Sequence, residues 1–270
     1  MMYAPRNSVG ESTIVQVEWA ASRSALRFRY ADEITFYLRA DLREVWSTWP
    51  PPYTVDDAMV YLLGPILAYA LRARGVLTLH ASAAVIDGRV AAFCGSSGTG
   101  KSTIAAGLAA AGHGVLSDDV LALRAVGGVP MAYPAYGYLR VWEDSARALI
   151  GDRHGLPLLT PNWGKHAFPV EALGYSIVRE PAPLGWIFLI EERSTSTSAP
   201  KVTQLRAVDA FVPIVANTAA NYLLSPEQRV EEFGAVAALL GQIPVFRLTP
   251  HAEPQRMADL ITAIERCVRA

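Results

Sequence analysis

Residues 90–119, VAAFCGSSGTGKSTIAAGLAAAGHGVLSDD, constrain the fold of this chain more than any other stretch. Val90, Ala91, Ala92, Phe93 and Cys94 make an apolar run of buried-strand length, and at Gly95 the composition turns to Gly and Ser. Residues 95–102 read G-S-S-G-T-G-K-S and match G-x-x-x-x-G-K-[ST] at every position. Residues 102–111 are rich in Ala and Leu and predict a helix ended by Gly112. Gly/Ser/Lys clusters also occur in ordinary surface loops, but strand, loop and helix in this order predict a phosphate-binding loop on an α/β fold.

A phosphate chain needs several converging backbone N–H groups with no side chains in their way. Gly95, Gly98 and Gly100 supply positive φ angles and close approach, and the backbone of Ser96, Ser97 and Thr99 completes the cradle. Lys101 brings a point charge for the β- and γ-phosphates, and the Ser102 hydroxyl suits Mg²⁺. Thr103 follows in the first helical turn, whose dipole would face the phosphates.

Gly114, Val115, Leu116 and Ser117 read as a strand returning toward the loop, which would bring Asp118 and Asp119 to the same end of the sheet. One carboxylate there can hold Mg²⁺, and the other can accept the proton of an attacking hydroxyl. Neighbouring side chains on an extended chain point apart, which suits such a division; the plain alternative is a solvated turn. Residues 77–86 read as one strand leading through the Asp87-Gly88 turn signal into the loop's own strand. His80 on that strand is within reach of the acids, although a single His in an apolar strand is commonly a hydrogen-bonded core residue.

Composition narrows the class. The 270 residues and 51% hydrophobic content support one large α/β domain with a small appendage. A formal net charge of −1 gives no electrostatic case for nucleic acid. Cys94 and Cys267, far apart and without ligand spacing, suggest a reducing compartment and hence the cytoplasm. Residues 1–10 lack a signal-peptide pattern, and residues 58–71 (AMVYLLGPILAYAL) are too short to span a bilayer, so no membrane partner is expected. A buried or half-buried helix is expected there instead.

The flanks are read more coarsely. Residues 13–18, 24–30 and 33–38 alternate apolar and polar positions, as half-buried antiparallel strands do. The prolines of residues 49–53 suggest a linker, giving a β-rich unit over 1–56 and a nucleotide-binding domain over 57–270, two units that can share one core. After residues 120–124, a strand, and the turn at 126–129, residues 134–142 lead to a helix start with Asp144 or Ser145 as cap. Arg140 on that approach could stabilise phosphoryl charge or make a surface ion pair. Residues 160–169, with Lys165 and His166, read as a Pro/Gly-rich basic loop, able to close over the nucleotide or grip an acidic peptide, or merely a solvated connection. Residues 185–190 read as a buried strand, 194–200 (STSTSAP) as a flexible surface loop, 207–224 and 226–240 as helices, 244–248 as a strand and 255–268 as a closing helix.

The order L-H-A-S-A, I-D-G-R, G-S-S-G-T-G-K-S, G-H-G-V-L-S-D-D-V and P-x-x-x-x-L-R-V-W resembles the HPr kinase/phosphorylase family, and most nearly its short members associated with ribosomally made peptides, lasso-peptide precursors included. The resemblance covers roughly residues 80–142. It implies a P-loop core of the HPr kinase/PEP carboxykinase type, with His80, Lys101, Asp118 and Asp119 in the active site and ATP and Mg²⁺ as cofactors: Asp118 is then expected as the base, Asp119 beside Ser102 on the metal, and His80 to orient or neutralise the acid pair. It further implies transfer to a serine hydroxyl of a peptide or protein partner, such as the C-terminal Ser of a lasso precursor. The long Gly-rich signature of the bifunctional members is missing after the acids, which weakens the case for HPr as substrate, the reverse reaction and hexamers and leaves all three open, as it leaves a homo-oligomer. A nucleotide sensor without transfer and a small-molecule kinase remain the alternatives. The paired acids and His80 favour an enzyme, since sensing needs no base.

Overall fold

The computed structural model describes residues 2–3, 15–20, 23–150 and 156–269. The alternating N-terminal pattern folds into an antiparallel meander, β1 (Met2–Tyr3), β2 (Val15–Trp19), β3 (Ala25–Tyr30), β4 (Thr35–Arg39) and β5 (Val45–Thr48), paired in chain order. Residues 13 and 14, expected in the first of these strands, lie outside the described residues. β5 was not expected, and it forms because four residues suffice to extend an existing antiparallel edge. The proline-rich stretch makes the turn into α1 (Val55–Tyr61), which Asp57 starts by accepting the Thr54 backbone N–H at 2.8 Å.

Residues 58–71 do not make one helix. α1 ends in a wide turn over Leu62–Ile66, and α2 (Leu67–Arg72) resumes beyond it. Pro65 has no N–H to donate, and Gly64 leaves the helical region at φ −98° and ψ −107°. The meander buries Phe28, Phe36 and Leu38 against Tyr61, Ile66 and Tyr69 of this bent pair, and Ala219, Ala220 and Leu223 from much later in the chain close the same core.

The remaining elements are β6 (Leu77–Leu79), β7 (Ala81–Ile86), β8 (Arg89–Cys94), α3 (Lys101–Ala110), β9 (Gly114–Ser117), β10 (Leu121–Val126), β11 (Val129–Tyr133), β12 (Tyr138–Trp142), α4 (Glu143–Ile150), β13 (Leu158–Thr160), β14 (Trp163–Pro169), β15 (Ala182–Ile190), β16 (Lys201–Leu205), α5 (Ala207–Ala216), α6 (Pro226–Leu240), β17 (Val245–Thr249) and α7 (Met257–Arg269). The central sheet runs β9-β7-β8-β15-β17-β16, with β8, β15 and β17 parallel. The first residues of β15 also pair with β11, which carries β10 and β6. Alternate residues of β8 and β15 feed two cores. Phe93 and Phe188 meet α3 and α7 on one face, while Ala92 and Ile187 meet α5 and α6 on the other. The result is a mixed α/β sandwich, with a third sheet, β12-β14-β13, beside α3 and α4.

Several expectations need correction. Residues 77–86 are two strands. The chain breaks at His80, whose N–H donates to Asn217 O at 2.7 Å, so that β6 joins β10 while β7 joins β8 and β9. Residues 160–169 are mostly strand β14, because Trp163–Pro169 finds the open edge of β12. α4 starts directly after β12, which puts Asp144 and Ser145 inside its first turn instead of at the cap. Residues 207–224 split after Ala216, where Ala220 takes a left-handed φ of 56°. Residues 194–200 are tied down, with Ser194 N–H donating to Pro250 O and Ala199 buried. Helix α6 and the β7–β8 turn, with positive φ at Asp87 and Gly88, form as expected.

Candidate active site

Topology brings the parts together. β8, β9 and β15 end at the same edge of the sheet, and β7, running the other way, begins there. Loops at the carboxyl ends of parallel strands are where open α/β sheets place ligands. The loop after β8, the two acids after β9 and His80 before β7 therefore share one location, and a cavity of about 110 Å³ is lined by His80, Ser97, Gly98, Gly100, Lys101, Ser102, Thr103, Asp118, Asp119 and Arg140. Val141, Trp142, Ser145, Lys165 and Arg193 complete its wall.

The loop has the geometry its glycines predict. Gly98 and Gly100 are left-handed at φ 85° and 105°. Gly95 is needed for closeness instead, since a methyl there would stand 2.9 Å from Thr99 Oγ1 and 3.1 Å from Ile190 O. Thr99 Oγ1 donates to Ser96 O, closing the loop on itself. Lys101, only 7% exposed, folds back to donate from Nζ to Gly95 O at 2.8 Å and Ser96 O at 3.2 Å. Burial lowers its pKa, against the pull of Asp119 and Asp118.

The two acids have different surroundings. Asp118, 1% exposed, accepts three hydrogen bonds on its carboxylate: from Ser82 Oγ, from Ser102 Oγ at 2.9 Å and from the Arg140 backbone N–H at 2.7 Å. Asp119 sits at φ 68° and turns its carboxylate the other way, to Arg140 Nη1 at 2.8 Å. Burial raises the Asp119 pKa, but Arg140, His80, Lys165 and Lys101 outweigh it and hold the carboxyl at about 2.

His80 Nδ1 lies 2.9 Å from the Asp119 carbonyl oxygen and 3.4 Å from its Oδ1. A carbonyl can only accept, so Nδ1 carries the proton and the neutral ring keeps its lone pair at Nε2. Burial pushes the His80 pKa below 6.5 despite Asp119. The ring is nonetheless 37% exposed on the cavity side. Arg140 is buried above the Tyr136 ring, 5.4 Å from its centroid, and Asp119 holds its charge in place with a raised pKa against the desolvation. Its Nε and Nη2 lack a hydrogen-bond partner of good geometry.

Lys165, expected on a mobile loop, is held by strand pairing to Trp142, with Nζ 5.2 Å from the indole centroid. His166 turns away and bonds Leu156 O. Sequence reasoning passed over Ser82, though its place two residues after His80 in H-A-S was a usable signal. Gly64 and Arg193 carried none: they reach the site from the α1–α2 bend and from the end of β15.

The donor set fits Mg²⁺ with a polyphosphate. Mg²⁺ takes one or two protein oxygens and fills its octahedron with phosphate oxygens and water, and Ser102 Oγ with Asp118 supplies such a pair. Among the described residues no group of three or more His, Cys, Asp or Glu side chains is arranged to hold a metal by protein alone. The buried Lys101 and the unsatisfied Arg140 nitrogens suit the anionic oxygens of a phosphate chain.

No family model and no curated protein sequence matches the chain. Among solved structures it is similar to the Hpr(Ser) kinase/phosphatase from Coxiella burnetii, at 16% identity and a TM-score of 0.39, over 71% of this chain and 93% of that one. A likeness of that extent carries no argument about activity.

Proposed function

We propose that this chain is an ATP- and Mg²⁺-dependent kinase that transfers the γ-phosphate to a serine-type hydroxyl of a peptide or protein. The observation that carries this reading is the meeting of the phosphate-binding loop with the acid pair, with Ser102 Oγ 2.9 Å from Asp118 Oδ1. A nucleotide sensor needs no base beside its cradle, whereas His80 and Asp119 are poised next to this one. The C-terminal Ser of a ribosomal peptide precursor is the first acceptor to try, since the motif order over residues 80–142 resembles kinases of that kind.

The geometry supports the following roles. The backbone of residues 95–102 and the Lys101 ammonium bind the phosphates, Nζ exchanging loop carbonyls for phosphate oxygens. Ser102 and Asp118 would hold Mg²⁺, which when bound neutralises phosphate charge. Asp118 has three donors on its carboxylate and is ill placed as a base, so we move that role from Asp118 and exchange the metal role of Asp119 for it. The acceptor proton goes to His80 Nε2. Asp119, kept anionic by Arg140, stabilises the imidazolium as it forms, and Arg140 adds positive charge beside the transferring group.

The test is transfer from γ-labelled ATP to candidate precursor peptides, with the label located by mass spectrometry. His80→Gln should lower kcat by about 10²–10⁴-fold with ATP affinity kept. The acid limb of the wild-type kcat profile should lie below pH 6.5 and vanish in that variant, because protonation of His80 removes the lone pair. Asp118→Asn should instead raise the Mg²⁺ concentration required. Calorimetry showing no uptake of Mg·ATP by the wild type would end the kinase reading.

A further inference from the structure

Helices α5 and α6 are apolar on two sides. Their inner sides bury Ala210, Ile214, Val236, Leu239 and Leu240 against the sheet. Their outer sides repeat the pattern, with Val208 and Val212 four residues apart on α5 and Val230, Phe233 and Gly234 at the same kind of spacing on α6. Val208, Val212 and Val230 are 70%, 72% and 71% exposed, and Phe233 is nearly half-exposed. Phe211 and Phe233 meet edge to face with ring centroids 5.9 Å apart, which joins the two stripes into one face. A helix that is apolar all round is ordinarily buried, and soluble monomers rarely show a contiguous apolar patch above a few hundred Å². Gly234 lies in the same face. A methyl built on it meets nothing within 4 Å, so no contact inside the chain calls for a residue that a helix interior disfavours. With the exposed Ala237 and Ala238 it leaves a shallow groove beside Phe233.

We propose that this face pairs with its own copy, making the chain a two-fold homodimer through α5 and α6. The proposal does not rest on the kinase reading. Shape selects the occupant first: the face carries ridges, Phe233 and the valines, and a groove at Gly234, so each copy supplies what the other lacks, as a two-fold interface requires. Charge agrees. Asp209 is taken by Arg206 at 2.7 Å, and Arg229 and Glu231 flank Val230 with opposite signs, so a copy holds the countercharge for each. A lipid surface would call for a cationic rim, whereas Asp209, Glu227 and Glu231 lie round this one. Size agrees as well. The outward halves of a 10-residue and a 15-residue helix, each a cylinder about 10–12 Å across, amount to roughly 700 Å², near the ~800 Å² per partner of a stable interface. The face is also joined to the candidate site, since α5 runs directly into Asn217, whose carbonyl accepts the His80 N–H at 2.7 Å.

Sedimentation velocity of the full chain over a dilution series should show a species of twice the chain mass that dissociates on dilution. Val212→Asp with Val230→Asp puts a carboxylate on each stripe at exposed positions and should weaken association by at least about 100-fold. Leu158→Asp, at an exposed position of β13 in the third sheet, should leave it within about two-fold. A wild type that stays monomeric at about 100 μM would overturn the proposal, and flotation of that monomer with phosphatidylcholine vesicles would give the face to a lipid surface instead. A dimer untouched by the double variant would place the interface elsewhere and overturn it too. Independently of how the variants fold, amide exchange in wild-type peptides of α5 and α6 should slow as concentration rises through the dissociation constant. Slowing confined to other elements would overturn the proposal.

Discussion

Gly64 turns a bare α-carbon toward the carboxylate of Asp119: a methyl there would stand 3.2 Å from Oδ2 and 3.9 Å from Arg140 Nη1. The bend between α1 and α2 is thus part of the site wall, and the N-terminal meander, which packs on those helices, reaches the acids through it.

Gly64→Ala should therefore disturb chemistry more than folding. The methyl must displace the Asp119 and Arg140 pair by a few tenths of an ångström, and misplacement near a reacting centre costs up to about 100-fold in rate. We expect kcat to fall by about ten-fold or more with ATP affinity little changed. Steady-state kinetics beside a thermal melt checks this.

Lys101→Met keeps the stem and removes the ammonium. Loss of one preorganised charge at a transferring group costs about 10²–10³-fold in kcat, and Mg·ATP should bind more weakly as well. Single-turnover kinetics and calorimetry separate the two effects.

Asp119 should leave a signature in the acid stability of the protein. Its carboxyl titrates at about 2 when folded against 3.8 ordinarily, so between those values the unfolded chain holds more protons. Its contribution to stability is complete above about pH 4 and is lost as pH falls toward 2. The difference in melting temperature between wild type and Asp119→Asn should accordingly be largest above pH 4 and shrink through that window.

Arg72 of α2 and Glu232 of α6 form an ion pair of 2.8 Å with side chains 6% and 2% exposed, and burial lowers the Arg72 pKa. Glu232→Ala strands that guanidinium and should cost about 3–5 kcal/mol. The double variant Arg72→Met with Glu232→Leu should recover much of it, and urea denaturation of the three proteins measures the difference.

Much of the site was legible because its information is local. The glycine spacing of residues 95–102 demands the left-handed angles seen at Gly98 and Gly100, and the Asp87-Gly88 turn fixes the hairpin that delivers β8 to the loop. The errors arose where a partner distant in sequence decided the outcome. Residues 77–86 looked like one strand until Asn217 pulled the backbone of His80 aside, and residues 160–169 looked like a loop until β12 offered an edge.

The sequence by itself determined a glycine-rich loop between a buried strand and an Ala-rich helix, with two acids at the next strand end, because turn angles and strand period are set by neighbouring residues. Only the tertiary structure decided what surrounds each acid. Asp118 is filled by Ser82, Ser102 and the Arg140 backbone, whereas Asp119 is held between His80 and Arg140 against Gly64, and these groups lie on separate elements brought together by the packing of the sheets and the bent helix. A carboxylate's ionisation depends on its donors and its burial, and those are properties of the assembled fold.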